Sequence, residues 1–199
     1  MSWELALVAA AYVLGSIPSA LLVVWLMTGK DVRREGSGNV GATNAVRTAG
    51  PVAGVLVTAM DVAKGALPVW AMSVLNPASV WLAAAMLAAV VGHCYPVWLR
   101  FAGGKGVATA FGAFVVLAPV PALAALGVWL VVLAVGRWVS LASLVGAAVF
   151  PLLVSILEQP GPVLLVGVSL AAVLIIVRHH SNIRQLIAGS EPRIGGRGR

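Results

Sequence analysis

Three short segments gather the side chains that could do chemistry. The first runs Gly36-Ser37-Gly38-Asn39-Val40-Gly41-Ala42-Thr43-Asn44, with Arg47 three residues on. Its glycines match G-x-G-x-x-G, but a dinucleotide fingerprint needs a strand before it and a βαβ unit around it. Glycines still let successive N–H groups of Gly38 and Gly41 curl toward an anion. Ser37, Asn39, Thr43 and Asn44 add side-chain donors, and the Arg47 fork fits phosphate bidentately. The bland alternative is a polar loop with packing glycines. The second segment is Gly103-Gly104-Lys105-Gly106-Val107-Ala108-Thr109. It is not a Walker A loop, because Gly106 stands at the Ser/Thr position and Leu99 at that of the first glycine. It opens an apolar helix, whose first N–H groups favour an anion. A cytoplasmic turn with a lone Lys is its alternative. The third is Arg178-His179-His180-Ser181-Asn182-Ile183-Arg184. On a continuing helix His179 and Asn182, at i and i+3, share one face. An ordinary basic flank or a metal site are the other readings. Adjacent His side chains diverge on a helix and no Cys or acidic cluster joins them, so no metal is expected.

Other candidates are more ambiguous. Asp61 and Lys64 sit at i and i+3 within an apolar run, where ionisable residues are functional candidates. A mutually neutralising pair that braces the site is the alternative. His93, one turn before Tyr95-Pro96, is either a satisfied core histidine or a site residue. Ser140 and Ser143 follow Arg137 at i and i+3, where serines also cap or pack.

The elements that must position these residues are membrane helices. Of 199 residues 61% are hydrophobic and 10% charged, with a mean hydropathy of +1.03. Soluble domains carry about 25% charged residues. This excludes a soluble enzyme, a disordered tail and a disulfide scaffold, the last also by the single Cys94. The net charge of +7 reads as positive-inside flanks of spans rather than as a nucleic-acid surface. Met1-Ser-Trp-Glu-Leu has no basic residue before its apolar run, so a retained span over 3–27 is expected, bent at Gly15-Ser-Ile-Pro18. Apolar runs follow at 52–75, 78–97, 107–135, 139–157 and 162–177.

Whether 107–135 crosses once or twice decides the topology. One crossing gives six spans and puts the basic tail opposite the basic loops. A turn at Pro119-Val120-Pro121 gives seven. Twelve of the 13 Lys and Arg residues then share one side, Lys64 being the exception, while Glu4 and Glu158 face the other. The positive-inside rule favours the seven-helix bundle, N-terminus outside and C-terminus cytoplasmic. Its cost is two short helices around Pro119 and Pro121, about 12 and 15 residues, or roughly 18 and 22 Å. Residues 1–199 are expected to form a single multi-span domain. All three polar segments then reach the cytoplasmic face, rich in donors and poor in carboxylates, which suits phosphate rather than cations.

In order and spacing, the segments 36–44 with Arg47, 103–109, and Arg178-His179-x-x-Asn182-Ile183 with Gly189 and Glu191 resemble the bacterial acyl-phosphate:glycerol-3-phosphate acyltransferases, the PlsY family. Gly15-Ser-Ile-Pro18 and Asp61-x-x-Lys64-Gly65 are similar too. The resemblance runs from about Tyr12 to Glu191. It departs at Gln185, where the family pattern has Arg, and it does not account for the tail after Glu191. It implies transfer of an acyl group from acyl-phosphate to the 1-hydroxyl of glycerol 3-phosphate. The products are lysophosphatidate and inorganic phosphate, made at the bacterial inner membrane with the site facing the cytoplasm. The His-x4-Asp motif of other glycerolipid acyltransferases is absent, since Trp98, Arg184 and Gln185 stand five residues after His93, His179 and His180.

As implied roles, Ser37, Arg47 and Lys105 grip phosphate, while His179 and Asn182 hold or polarise the acyl-phosphate. Gly103, Gly104 and Gly106 shape the glycerol 3-phosphate pocket. Gly38, Asn39, Gly41, Thr43, Asn44, His93, Thr109, Ser140 and Ser143 are further substrate-binding candidates, with Asp61, Lys64, Arg178 and Glu191 in support. The base is His179 or the departing phosphate. No cofactor and no nucleic acid are expected. The expected partners are the two substrates and membrane lipid, with the enzyme that makes acyl-phosphate as a further candidate. From another class, a small anion or phosphate-ester transporter would also use bent helices and a midplane Asp61–Lys64 pair. A non-catalytic subunit would not need three phosphate-type motifs.

Overall fold

The computed structural model describes residues 2–195, which are all-helical. Five stretches are long and apolar enough to cross a membrane: Trp3–Thr28, Pro51–Leu75, Ser79–Leu99, Pro119–Gly136 and Val139–Leu157. A sixth counts if Pro162–Arg178 and His180–Ile187, bent by 56°, form one span. The chain divides into two compact units, one up to Leu117 and one from Ala118.

The first unit opens with α1 (Trp3–Gly15) and α2 (Ser19–Thr28), which make one apolar span broken at residues 16–18. Pro18 has no N–H to give the Leu14 carbonyl and its backbone leaves the helical region, so the ladder fails there, and the Ile17 carbonyl turns to the Ser19 N–H at 3.0 Å. Next come α3 (Ala42–Ala49), α4 (Pro51–Leu75), α5 (Ser79–Cys94) and the short α6 (Val107–Leu117). Lipid gives helices no hydrophobic reason to associate, so they pack by close backbone approach at small residues. α4 and α6 meet through Gly65 and Gly112. A Cβ on either would fall on the Thr109 or Val62 carbonyl oxygen. α1 and α5 meet in the same reciprocal way through Gly15 against Ala89 and Gly92 against Tyr12. The end of α5 is tied down by the Tyr12 hydroxyl, which donates to the Tyr95 carbonyl at 2.8 Å.

The second unit holds α7 (Pro119–Gly136), α8 (Val139–Leu157), α9 (Pro162–Arg178) and α10 (His180–Ile187). The expected break in 107–135 falls at Ala118, before the prolines rather than between them. Pro119 and Pro121 instead occupy the first turn of α7, where N–H groups have no helical acceptor and a missing donor costs nothing. α7 therefore reaches 18 residues, and of these two helices α6, with 11, is the short one. The helix does not continue through His179 either. That residue closes α9 and opens α10, so His179 and Asn182 flank a bend instead of sharing a straight face.

Candidate active site

The first polar segment becomes a turn, a loop and α3, held by one clasp. Asp31 caps a 3-10 turn, Val32–Arg34. Its carboxylate accepts from the Arg33 amide at 3.0 Å and from the guanidinium at 2.6 and 2.9 Å. The guanidinium hydrogen bond, then the amide, lowers the Asp31 pKa to about 2, and the carboxylate in turn raises that of Arg33. Gly36 and Gly38, at φ +55° and +71°, curl the loop in a region that L side chains rarely adopt. Asn44 reaches back into it from α3 and is 2% exposed. Its Nδ2 donates to the Val32 and Glu35 carbonyls, each at 3.0 Å, and its Oδ1 accepts the Ser37 N–H at 3.0 Å. Both ends of the Asn44 amide are thus committed to loop shape.

Ser37, Thr43 and Arg47 remain exposed. A Cβ on Gly36 would lie 3.9 Å from the Arg47 Cβ, so Arg47 stands beside the loop, with Thr43 one turn earlier on its face. Among the described residues the Ala42 and Thr43 amides have no backbone acceptor, as the first turn of a helix requires. Asn39 is half-buried, and Gly41 caps α3.

The second segment folds back on the end of α5. The Gly103 and Gly104 N–H groups donate to the Cys94 and His93 carbonyls, both at 3.1 Å. Those two amides therefore hold the loop. Half-buried Lys105 follows, then Gly106 at φ +82°, whose carbonyl takes the Ala110 N–H at 2.8 Å and opens α6. Thr109 is fully buried. The first segment rests on an apolar cluster in which Val32 and Val40 join Val24, Val57 and Leu99, the last residue of the turn after α5. Beneath lie Asp61, Lys64 and His93. Lys64 Nζ is 2.8 Å from Asp61 Oδ1 and donates to the Ile17 carbonyl at 2.8 Å. The Asp61–Lys64 neutralising pair is therefore present, and His93 adjoins it.

In the second unit His179 is 2% exposed, and its Nδ1 lies 2.8 Å from the Ile175 carbonyl. A carbonyl can only accept, so Nδ1 carries a proton and donates it to Ile175. Asn182 Nδ2 donates to Glu191 Oε1 at 2.7 Å, and the Ser140 hydroxyl donates to the same oxygen at 2.5 Å. Glu191 thus links two predicted residues 42 positions apart (182 against 140). Ser143 instead accepts from Trp129 Nε1 at 3.2 Å inside the unit, and Arg178 is half-buried at the end of α9.

Glu191 is itself fixed by residues that no motif in the sequence marks. Trp138 Nε1 donates to its backbone carbonyl at 3.1 Å, and Arg193 stacks over the Trp138 ring at 4.3 Å. Arg137 and Ile194 exchange bonds, guanidinium to carbonyl at 2.7 Å and N–H to carbonyl at 2.8 Å. This also accounts for the chain just after Glu191. The only sequence signal was the nearness of Arg137-Trp138 to Ser140.

These features define a polytopic helical membrane protein that carries cation-bearing, glycine-bent loops at the ends of its helices. The chain belongs to the glycerol-3-phosphate acyltransferase family, whose model matches residues 5–189. It is 48% identical over 189 residues to the glycerol-3-phosphate acyltransferase of Trichlorobacter lovleyi, covering 94% of this chain and 95% of that one. Among solved structures it is similar to PlsY (YgiH), an integral membrane glycerol 3-phosphate acyltransferase. The glycerol 3-phosphate form is 40% identical with a TM-score of 0.93, covering 96% of each chain. The lysophosphatidic acid form is 39% identical with a TM-score of 0.88, covering 96% of this chain and 95% of that one.

Proposed function

We propose that this chain acylates the 1-hydroxyl of glycerol 3-phosphate in phospholipid synthesis, with acyl-phosphate as donor and lysophosphatidate and inorganic phosphate as products. The observation that carries this reading is the glycine-bent loop clasped by Asn44, which leaves Ser37 and Arg47 exposed side by side, together with the second glycine-bent loop, held on the end of α5, that carries Lys105. That arrangement supplies a hydroxyl, a guanidinium and an ammonium for phosphate at the ends of membrane helices. An acyl-phosphate is already activated, so the protein need not provide a nucleophile. Its task is to orient two anions and stabilise the oxyanion at the carbonyl.

On this reading Ser37, Arg47 and Lys105 grip phosphate, and His179 and Asn182 hold or polarise the acyl-phosphate. Asn44 and Glu191 shape the groups around them. The substrate O1 attacks the acyl carbon and the acyl–phosphate C–O bond breaks. The O1 proton ends on the departing phosphate, directly or by way of His179 Nε2. His179→Ala separates the routes. A base there contributes about 10²–10⁴-fold in rate, whereas near-full turnover assigns the proton to the phosphate.

The topology follows the same reading: seven crossings, the N-terminus outside, and the active loops on the cytoplasmic side of the bacterial inner membrane. The helix break at Ala118 and the one-sided distribution of Lys and Arg support it. The test supplies radiolabelled glycerol 3-phosphate with palmitoyl-phosphate, palmitoyl-CoA or palmitoyl-acyl carrier protein, in chelator. Lysophosphatidate and phosphate are expected with the acyl-phosphate alone. Folded protein that makes no product with it refutes the reading.

A further inference from the structure

The proposed chemistry leaves three buried ionisable side chains without a task. Asp61, Lys64 and His93 are 3%, 6% and 7% exposed. Ionisable groups inside a membrane protein are costly to keep there and mark function more often than packing. They lie in a row, with His93 Nδ1 facing Asp61 as a charge contact and not as a hydrogen bond. Lys64 donates to the Ile17 carbonyl, which also accepts the Ser19 N–H, and its ammonium lies against Asp61 Oδ1. The same oxygen faces His93 Nδ1 at 3.6 Å. The other edge of the imidazole faces the second polar segment: a Cβ on Gly104 would fall on His93 Nε2. The backbone of the same histidine accepts the Gly104 N–H, and the next residue is Lys105.

We infer that Asp61 and His93 are a positioning pair for the loop that carries Lys105. Asp61, held by Lys64, orients the imidazole. The imidazole sets the height of Gly103-Gly104, and so the place where Lys105 presents its charge to the phosphate of glycerol 3-phosphate. This rests on the reading of Lys105 as a ligand of that phosphate. Neither residue of the pair touches a reacting atom. Its loss should therefore weaken substrate and transition state alike, which raises KM and leaves kcat in place. A merely structural pair behaves differently: fewer molecules fold, and the maximal rate falls at unchanged KM.

The experiment uses the full chain in lipid nanodiscs. Wild type is compared with Asp61→Asn, His93→Gln, Gly104→Ala and the double variant His93→Ala/Gly104→Ala. Two readouts are taken: the Kd for glycerol 3-phosphate by calorimetry without donor, and kcat and KM for each substrate. Each single variant is expected to raise the Kd and KM for glycerol 3-phosphate about tenfold, with the KM for acyl-phosphate unchanged. The double variant removes the ring that a Cβ at position 104 would strike. It should recover part of the loss seen in Gly104→Ala alone. Unchanged Kd in folded variants overturns the inference, as does a lower maximal rate at unchanged KM. Gly104 also lines the proposed pocket, so the comparison that decides is the double variant against Gly104→Ala: a Kd that does not recover when the ring is removed overturns the inference. Wild type that binds glycerol 3-phosphate but makes no product refutes the proposed reaction, and the Kd series still decides this inference.

Discussion

Asn44→Asp is expected to damage the protein more than Asn44→Ala, although Asp is the closer isostere. The Asn44 amide donates twice, to the Val32 and Glu35 carbonyls, and accepts once, from the Ser37 N–H. Alanine removes three neutral hydrogen bonds at about 0.5–1.5 kcal/mol each, or about 3 kcal/mol in all. At 1.4 kcal/mol per decade that is roughly a hundredfold shift toward the open loop. Aspartate keeps the acceptor for Ser37 but loses both donors, and it places a carboxylate against two carbonyl oxygens at a site only 2% exposed. Burying that unpaired charge costs several kcal/mol more, by order of magnitude. Protonation offers little relief, because the acid has one O–H for two carbonyls. Hydrogen exchange over residues 32–44 reads the opening directly, and the KM for glycerol 3-phosphate reads its effect on Ser37. The expected order of damage is wild type, then Ala, then Asp in both assays. An Asp variant with wild-type exchange at Ser37 and an unchanged KM would refute the clasp.

Other perturbations test the remaining contacts. Glu191→Gln keeps an acceptor for Ser140 and Asn182 but removes the charge. At about 1 kcal/mol per bond, Tm should fall by about 4–8 °C, read by thermal unfolding in detergent, with Ser140→Ala falling less. Gly112→Ala drives a Cβ onto the Val62 carbonyl and should destabilise by about 1–3 kcal/mol. Gly127→Ala has nothing within 4 Å and should be neutral or stabilising in the same assay. The Asp31 carboxyl has a lowered pKa in the folded loop, about 2 against an ordinary 3.8. The Asp31–Arg33 contact should therefore stabilise fully above about pH 4 and be lost as pH falls through 2. Exchange at Arg33 across that window checks it. The pair is solvent-exposed, so the effect should shrink in high salt.

Much of the architecture was legible because its causes are local. Apolar run lengths mark the spans, Pro18 breaks the first, and Lys and Arg cluster at the flanks. Glycine-rich segments between spans mark the anion loops, and the i, i+3 spacing of Asp61 and Lys64 places the pair on one helix face. The helix boundaries were less legible. Prolines mark a break near 118–121, and because both suit the first turn of α7 the break itself falls just before them, at Ala118. The bend at His179 has no Pro or Gly to announce it.

What the sequence by itself determined is a helical membrane protein whose polar, glycine-rich segments carry Ser37, Arg47, Lys105, His179 and Asn182. What only the tertiary structure decided is how those residues are held. Lys64 meets Ile17, Asn44 meets Val32 and Glu35, His93 meets Gly104, Glu191 meets Ser140, and Ile194 meets Arg137. Each joins groups that neither the helical nor the turn repeat brings together. Their pairing depends on where whole helices and loops pack, which periodicity along a single chain does not encode.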